Sequence, residues 1–142
     1  MRALLDTCVI IDALQRRAPF AEDAEKLFLL AANEQFIGCI SAKSSTDIYY
    51  LMHKVTHNDT AARAILNKLF TLFEIIDTTG MDCRRAIPSG VGDYEDAVMI
   101  ESAARAEVDC IITRNEHDYA KSTVPVFTPR AFVEKLETEI FN

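Results

Sequence analysis

The chain has no tryptophan, only four glycines and four prolines in 142 residues, and no apolar stretch long enough to span a bilayer. So few glycines and prolines exclude a low-complexity or linker-dominated chain. The missing bilayer-length run excludes a membrane-spanning helix. The N-terminus lacks the basic region, long apolar segment and small-residue cleavage site of a secretory leader. Cysteine is sparse: Cys8, Cys39, Cys83 and Cys110 stand far apart, and none forms a C-x-x-C pair. That gives no support to a zinc site or a disulfide framework. Three of the four lie in apolar, strand-like runs (CVII, IGCI, DCII), where cysteine behaves as a small buried hydrophobe. A soluble cytoplasmic protein is expected.

Positive charge is also short. Fifteen Lys and Arg face 22 Asp and Glu, a net charge of −7. This argues against nucleic acid being held on a broad basic surface. It leaves open a metal-dependent enzyme acting on nucleic acid, in which cations offset acidic ligands and bridge to phosphate. There is no Gly-rich phosphate loop and no G-x-S-x-G setting for a nucleophilic serine. His53 and His57 have the spacing of a zinc-binding helix, but HKVTH lacks the glutamate of H-E-x-x-H, and both fall opposite Ile48 and Val55 on a face expected to be solvated.

What is present is 49% apolar residues, enough for the core of one domain spanning 1–142. Segments of two periods alternate, which predicts an α/β fold. RALL reads as a strand, 21–32 as a helix, QFIGCIS as a second strand and 44–55 as a helix capped by Ser44 or Ser45. A helix over 60–73, the strand FEIID, a short helix over 79–88, a helix over 93–106 and the strand VDCIIT follow. The chain ends with a loop, the short strand VPVFT and a helix opening on Pro129. A mostly parallel sheet flanked by helices results. Its sites are expected beyond the carboxyl ends of the strands.

Acids collect at those ends. Asp6 closes the first strand between apolar neighbours, and Asp118 follows the fourth. Asp93 fits the N-cap of the helix that begins GDYEDAV, and Asp96 heads its apolar face. Asp47 flanks the stripe Ile48, Leu51, Met52 and Val55. Asp12 is expected to face water or cap a local turn. Each acid has a local explanation as a cap, turn or dipole partner. Together they would repel one another, and a hard divalent cation removes that conflict. Mg²⁺ or Mn²⁺ held there would support hydrolysis at a phosphodiester. Arg16, Arg17, Lys43, Arg114 and Lys121 are the basic residues near this edge. They are candidate contacts to an RNA backbone, or plain surface charge.

The opening LLDTCVIID resembles the start of PIN-domain proteins, which usually read close to D-T-N there, and SSTDIYY, DYEDAV and IITRNEHDY resemble the other PIN motifs in the same order. The chain is most similar to small bacterial proteins of the VapC toxin type. The resemblance implies a three-layer α/β/α fold and a Mg²⁺- or Mn²⁺-dependent ribonuclease, with RNA as substrate, an antitoxin protein as partner and a homodimer as assembly. Matched position by position, it implies Asp6, Asp96 and Asp118 as acidic metal ligands and Asp47 where many members have glutamate. Thr7, Asp93, Thr113 and Asn115 would support them. Two departures stand out: Cys8 replaces the usual asparagine, and Asp47 is one methylene shorter than glutamate. Both keep a second reading open, a PIN-like domain without catalysis that serves as a binding or assembly module. A receiver-like domain would need a phosphoacceptor such as Asp77 with a late strand-end lysine, which is missing.

Overall fold

The computed structural model describes residues 1–141. Five strands form one sheet: β1 (Arg2–Leu5), β2 (Ile37–Ser41), β3 (Glu74–Ile76), β4 (Cys110–Ile112) and β5 (Val126–Phe127). Their order is β3-β2-β1-β4-β5, and every pairing is parallel. The helices are α1 (Thr7–Leu14), α2 (Ala21–Ala32), α3 (Ala42–Thr56), α4 (Asp59–Leu72), α5 (Gly80–Ala86), α6 (Tyr94–Arg105) and α7 (Pro129–Phe141). A 3₁₀ turn, Glu116–Tyr119, follows β4.

The strands alternate between two apolar layers, as the two-residue period of a strand requires. Ala3, Leu5, Ile40, Cys110 and Ile112 pack on the side of α1–α4 and α7. Leu4, Cys39 and Ile111 pack on the opposite side, against Met99, Ile100 and Ala103 of α6. Two helical layers therefore enclose the sheet, making three layers in all. The inner strands β1 and β4 are buried on both faces, which explains why they read as continuous apolar runs.

The order of the sheet sets the location of the site. The chain builds outward from β1 through β2 to β3, then crosses back to place β4 on the other side of β1. The direction of winding reverses between β1 and β4, where a crevice opens at the carboxyl ends of parallel strands. Asp6 follows β1 there, and Thr113 follows β4.

Local expectations differ from the structure in four places. CVII is not strand-like: Cys8–Ile11 lies inside α1, which is buried along Val9–Ala13. A four-residue apolar run fits either a strand or a buried helix, so its period does not decide. The cap of α3 is Ser41, whose Oγ accepts from the Ser44 backbone N–H, rather than Ser44 or Ser45. Val55 is 61% exposed and so lies off the buried stripe of α3. Asp12 does not face water; it is 1% exposed.

Candidate active site

Asp6 stands where β1 turns into α1. Its backbone N–H donates to Ile112 O at 2.9 Å, extending the β1–β4 ladder by one rung, and its own carbonyl accepts from Val9 N at 3.0 Å as the helix starts. The Asp6 side chain makes no capping bond to this helix and turns to Thr113 instead. Thr113 Oγ1 donates to Asp6 Oδ2 at 2.8 Å from a fully buried position. The Cys8 thiol donates to the same oxygen at 3.5 Å. Burial and then the neighbouring Asp6 charge push the Cys8 thiol up to about 11, so it stays protonated and remains a donor.

Asp96 is delivered by the first turn of α6. Asp93 caps that helix by accepting the Asp96 backbone N–H at 3.0 Å. The Asp96 side chain leaves the cap and meets Tyr119, whose phenol donates to Asp96 Oδ1 at 3.2 Å. Burial raises Asp96 first, and the charges of Asp93, Asp6 and Asp118 raise it further, to about 6. Three carboxylates, from the end of β1, the cap of α6 and the segment after β4, thus act on Asp96 at the crevice.

The segment after β4 is held by its own turn. The Asn115 N–H donates to Thr113 Oγ1 at 3.1 Å, and Asn115 O accepts from Asp118 N at 3.0 Å. Asp118 Oδ1 lies 2.9 Å from His117 Nε2. Thr7 stands apart from the acids: its hydroxyl donates to Ser44 Oγ at 2.7 Å and ties α1 to α3. Asp47 is not among the groups that raise Asp96. It accepts from Lys43 Nζ at 2.6 Å, and the same ammonium bridges to Glu95 at the start of α6.

Hard carboxylate oxygens such as those of Asp6, Asp96 and Asp118 are the donor type suited to Mg²⁺ or Mn²⁺. The chemistry therefore fits such an ion. Among the described residues, however, no group of three His, Cys, Asp or Glu side chains is already assembled to hold a metal. Beside Asp93 and Asp118 lies a cleft of about 470 Å³, bordered also by Gly90, His117 and Lys121. That volume is within the range of small-ligand sites.

One participant escaped the sequence reading, and two of the basic residues named there have defined partners. Tyr119 was overlooked: it stands in the polar stretch EHDYAK, where nothing local marks it as buried. Lys43 counts as more than surface charge, since it neutralises Asp47. Arg114 is committed elsewhere: its Nε lies 2.9 Å from Asp12 Oδ2, and its guanidinium covers the Phe20 ring at 4.3 Å.

A family model described as PIN domain matches residues 2–117, and the chain belongs to that family. No curated protein matches the chain. Among solved structures, a chain of a toxin–antitoxin complex from Klebsiella pneumoniae is 25% identical with a TM-score of 0.64, covering 89% of this chain and 97% of that one. A chain of VapBC-1 from nontypeable Haemophilus influenzae is 13% identical with a TM-score of 0.68, covering 92% and 99%. VapC20 of Mycobacterium tuberculosis, a sarcin–ricin loop cleaving toxin, is 14% identical with a TM-score of 0.60, covering 77% and 86%. The likeness extends along nearly the whole chain, so the VapC-type PIN fold accounts for the complete α/β/α sandwich. Among the described residues, no helix is long and apolar enough to cross a membrane.

Proposed function

We propose that this protein is a Mg²⁺- or Mn²⁺-dependent endoribonuclease, the toxin of a toxin–antitoxin pair, acting in the cytoplasm as a homodimer and restrained by an antitoxin protein. The observation that carries the reading is the meeting, at the reversal point between β1 and β4, of Asp6 held by Thr113 and Asp96 held by Tyr119, with Asp93 and Asp118 near enough to raise Asp96. In this reading Asp6, Asp96 and Asp118 hold the cation. Asp93 fixes the first turn of α6, while Thr113 orients Asp6. Asn115 shapes the turn that presents Asp118, and Thr7 braces α1 against α3. Asp47 serves at the rim rather than as a direct ligand, because Lys43 already satisfies it. When bound, the ion supplies an activated water and charge neutralisation at the scissile phosphate. A structured RNA is the substrate class favoured by the likeness to a toxin that cleaves the sarcin–ricin loop.

Single-turnover cleavage of a pool of structured RNAs tests this, with Mn²⁺, Mg²⁺ or EDTA, beside Asp6→Asn and Asp96→Asn proteins. Cutting that needs the metal and vanishes in both variants is expected. The absence of a preassembled ligand group favours one other reading, a PIN-like binding or assembly module. RNA binding without metal uptake or cutting would establish that module in place of the nuclease.

A further inference from the structure

Tyr119 is 1% exposed and packs among Leu4, Met99, Ile111 and Val124. Phenylalanine would fill that volume without the cost of burying a hydroxyl, which is substantial when the group has no partner. The phenol reaches a partner at the edge of the apolar layer, Asp96 Oδ1 at 3.2 Å. The same segment already carries a second buried hydroxyl aimed at a second acid, Thr113 Oγ1 on Asp6 Oδ2. Two donors six residues apart thus each fix one carboxylate, one from β1 and one from α6. They come from the stretch that also supplies Asp118.

We infer that Tyr119 is a positioning residue: its hydroxyl fixes the Asp96 carboxylate so that the remaining oxygen is presented to the crevice it shares with Asp6 and Asp118. Asp6 is held by two donors, Thr113 and Cys8. For Asp96, the Tyr119 phenol is the one side-chain donor found among the described residues. The backbone of α6 sets where Asp96 begins, and Tyr119 sets where its carboxylate ends. Donors of this kind behind a ligating carboxylate commonly account for 10- to 100-fold in metal affinity. This inference rests on the metal-dependent reading above, and it adds to that reading a residue acting through Asp96.

Tyr119→Phe removes the hydroxyl and keeps the ring, so the apolar layer stays filled. The test compares Mn²⁺ binding to wild-type and Tyr119→Phe proteins by electron paramagnetic resonance, with thermal melting of the metal-free proteins alongside. The metal-free proteins also give the ¹³Cγ resonance of Asp96. The expected result is Mn²⁺ affinity weakened about tenfold or more, a displaced or broadened Asp96 resonance, and a melting temperature within a few degrees of wild type. In cleavage assays the loss should fall on kcat at saturating RNA, with KM for RNA little changed. Equal Mn²⁺ affinity with an unmoved Asp96 resonance would overturn the positioning role and leave the nuclease reading standing. No Mn²⁺ binding by the wild-type protein would overturn both together.

Discussion

Lys43 Nζ lies 2.6 Å from Asp47 Oδ2, one helical turn further along α3, and the same ammonium bridges to Glu95 at the start of α6. The motif resemblance matches Asp47 to a family glutamate, yet here it is answered by a cation from its own helix. The pair is about one-third exposed on each side, so its strength is that of a partly solvated ion pair, about 0.5–1 kcal/mol.

Removing Lys43 should therefore release Asp47 and add negative charge to the rim of the crevice. Lys43→Met is expected to tighten Mn²⁺ binding about two- to fivefold, the ratio that corresponds to that energy. Isothermal titration calorimetry at low ionic strength reads it directly. An affinity unchanged by the substitution would place Lys43 and Asp47 outside the field of the bound ion.

The Cys8 thiol sits 3.5 Å from Asp6 Oδ2, a long contact made by a weak donor. Asparagine at this position would offer a stronger amide N–H to the same oxygen. Cys8→Asn is expected to strengthen Mn²⁺ binding several-fold, in line with about 1 kcal/mol for one improved hydrogen bond. The same variant should accelerate RNA cleavage. A variant weaker in both would mean that the half-buried space beside Asp6 is shaped for sulfur rather than for an amide.

Asp12 and Arg114 form the most deeply buried ion pair near the site. Nε approaches Oδ2 to 2.9 Å, but the angle is poor for a hydrogen bond, so charge rather than alignment holds the pair. Burial raises Asp12, and Arg114 pulls it back down only in part. Arg114→Met would leave a carboxylate buried without its cation, at a cost of about 3–5 kcal/mol. With the counter-charge gone, the folded-state value of Asp12 rises further. The folded state then holds a proton that the unfolded chain has released, so stability falls as pH rises from the unfolded value of 3.8 through the folded one. Urea denaturation should show a larger loss for Arg114→Met at pH 7.5 than near pH 4.5. Adding Asp12→Asn should recover most of it. A loss independent of pH would assign it to the stacking of Arg114 on Phe20 instead.

The long-range part of this architecture was legible because the signals were local. Alternating helix and strand periods marked β2, α4, α6 and β4, and Asp93 announced the start of α6 by its capping chemistry. Asp6, Asp96 and Asp118 were legible as strand-end and helix-start acids, since a parallel sheet collects such positions at one edge. Asp12 was misread because the four-residue run CVII does not separate strand from helix, and because its partner lies about a hundred residues away on the far side of β4. Tyr119 was hidden because its partner Asp96 lies 23 residues earlier on another element: its hydroxyl acquires meaning only when α6 meets the 3₁₀ turn. Lys43 was read only as a basic residue near the edge; its pairing with Asp47 went unread, and its link to Glu95 depends on how α3 and α6 meet.

The carboxyl of Asp96, raised to about 6 by burial and by Asp93, Asp6 and Asp118, ties stability and metal uptake to the same pH window. Between the unfolded value of 3.8 and about 6, the folded metal-free protein binds more protons than the unfolded chain. Its stability therefore falls as pH rises across that interval, and the cost is fully present above it. Asp96→Asn removes the charge, so this variant should be more stable than wild type at pH 7.5 in the absence of metal. The advantage should shrink toward pH 4. A bound divalent cation reverses the balance, because it favours the ionised form that the metal-free fold disfavours. Mn²⁺ should then stabilise wild type at pH 7.5, lose that effect as pH falls through about 6, and do little for Asp96→Asn. Thermal melts of both proteins from pH 4 to 8, with and without Mn²⁺, separate these contributions. Equal melting temperatures for the two metal-free proteins at every pH would mean that Asp96 bears no penalty from its neighbours, and that the acids lie too far apart to share an ion.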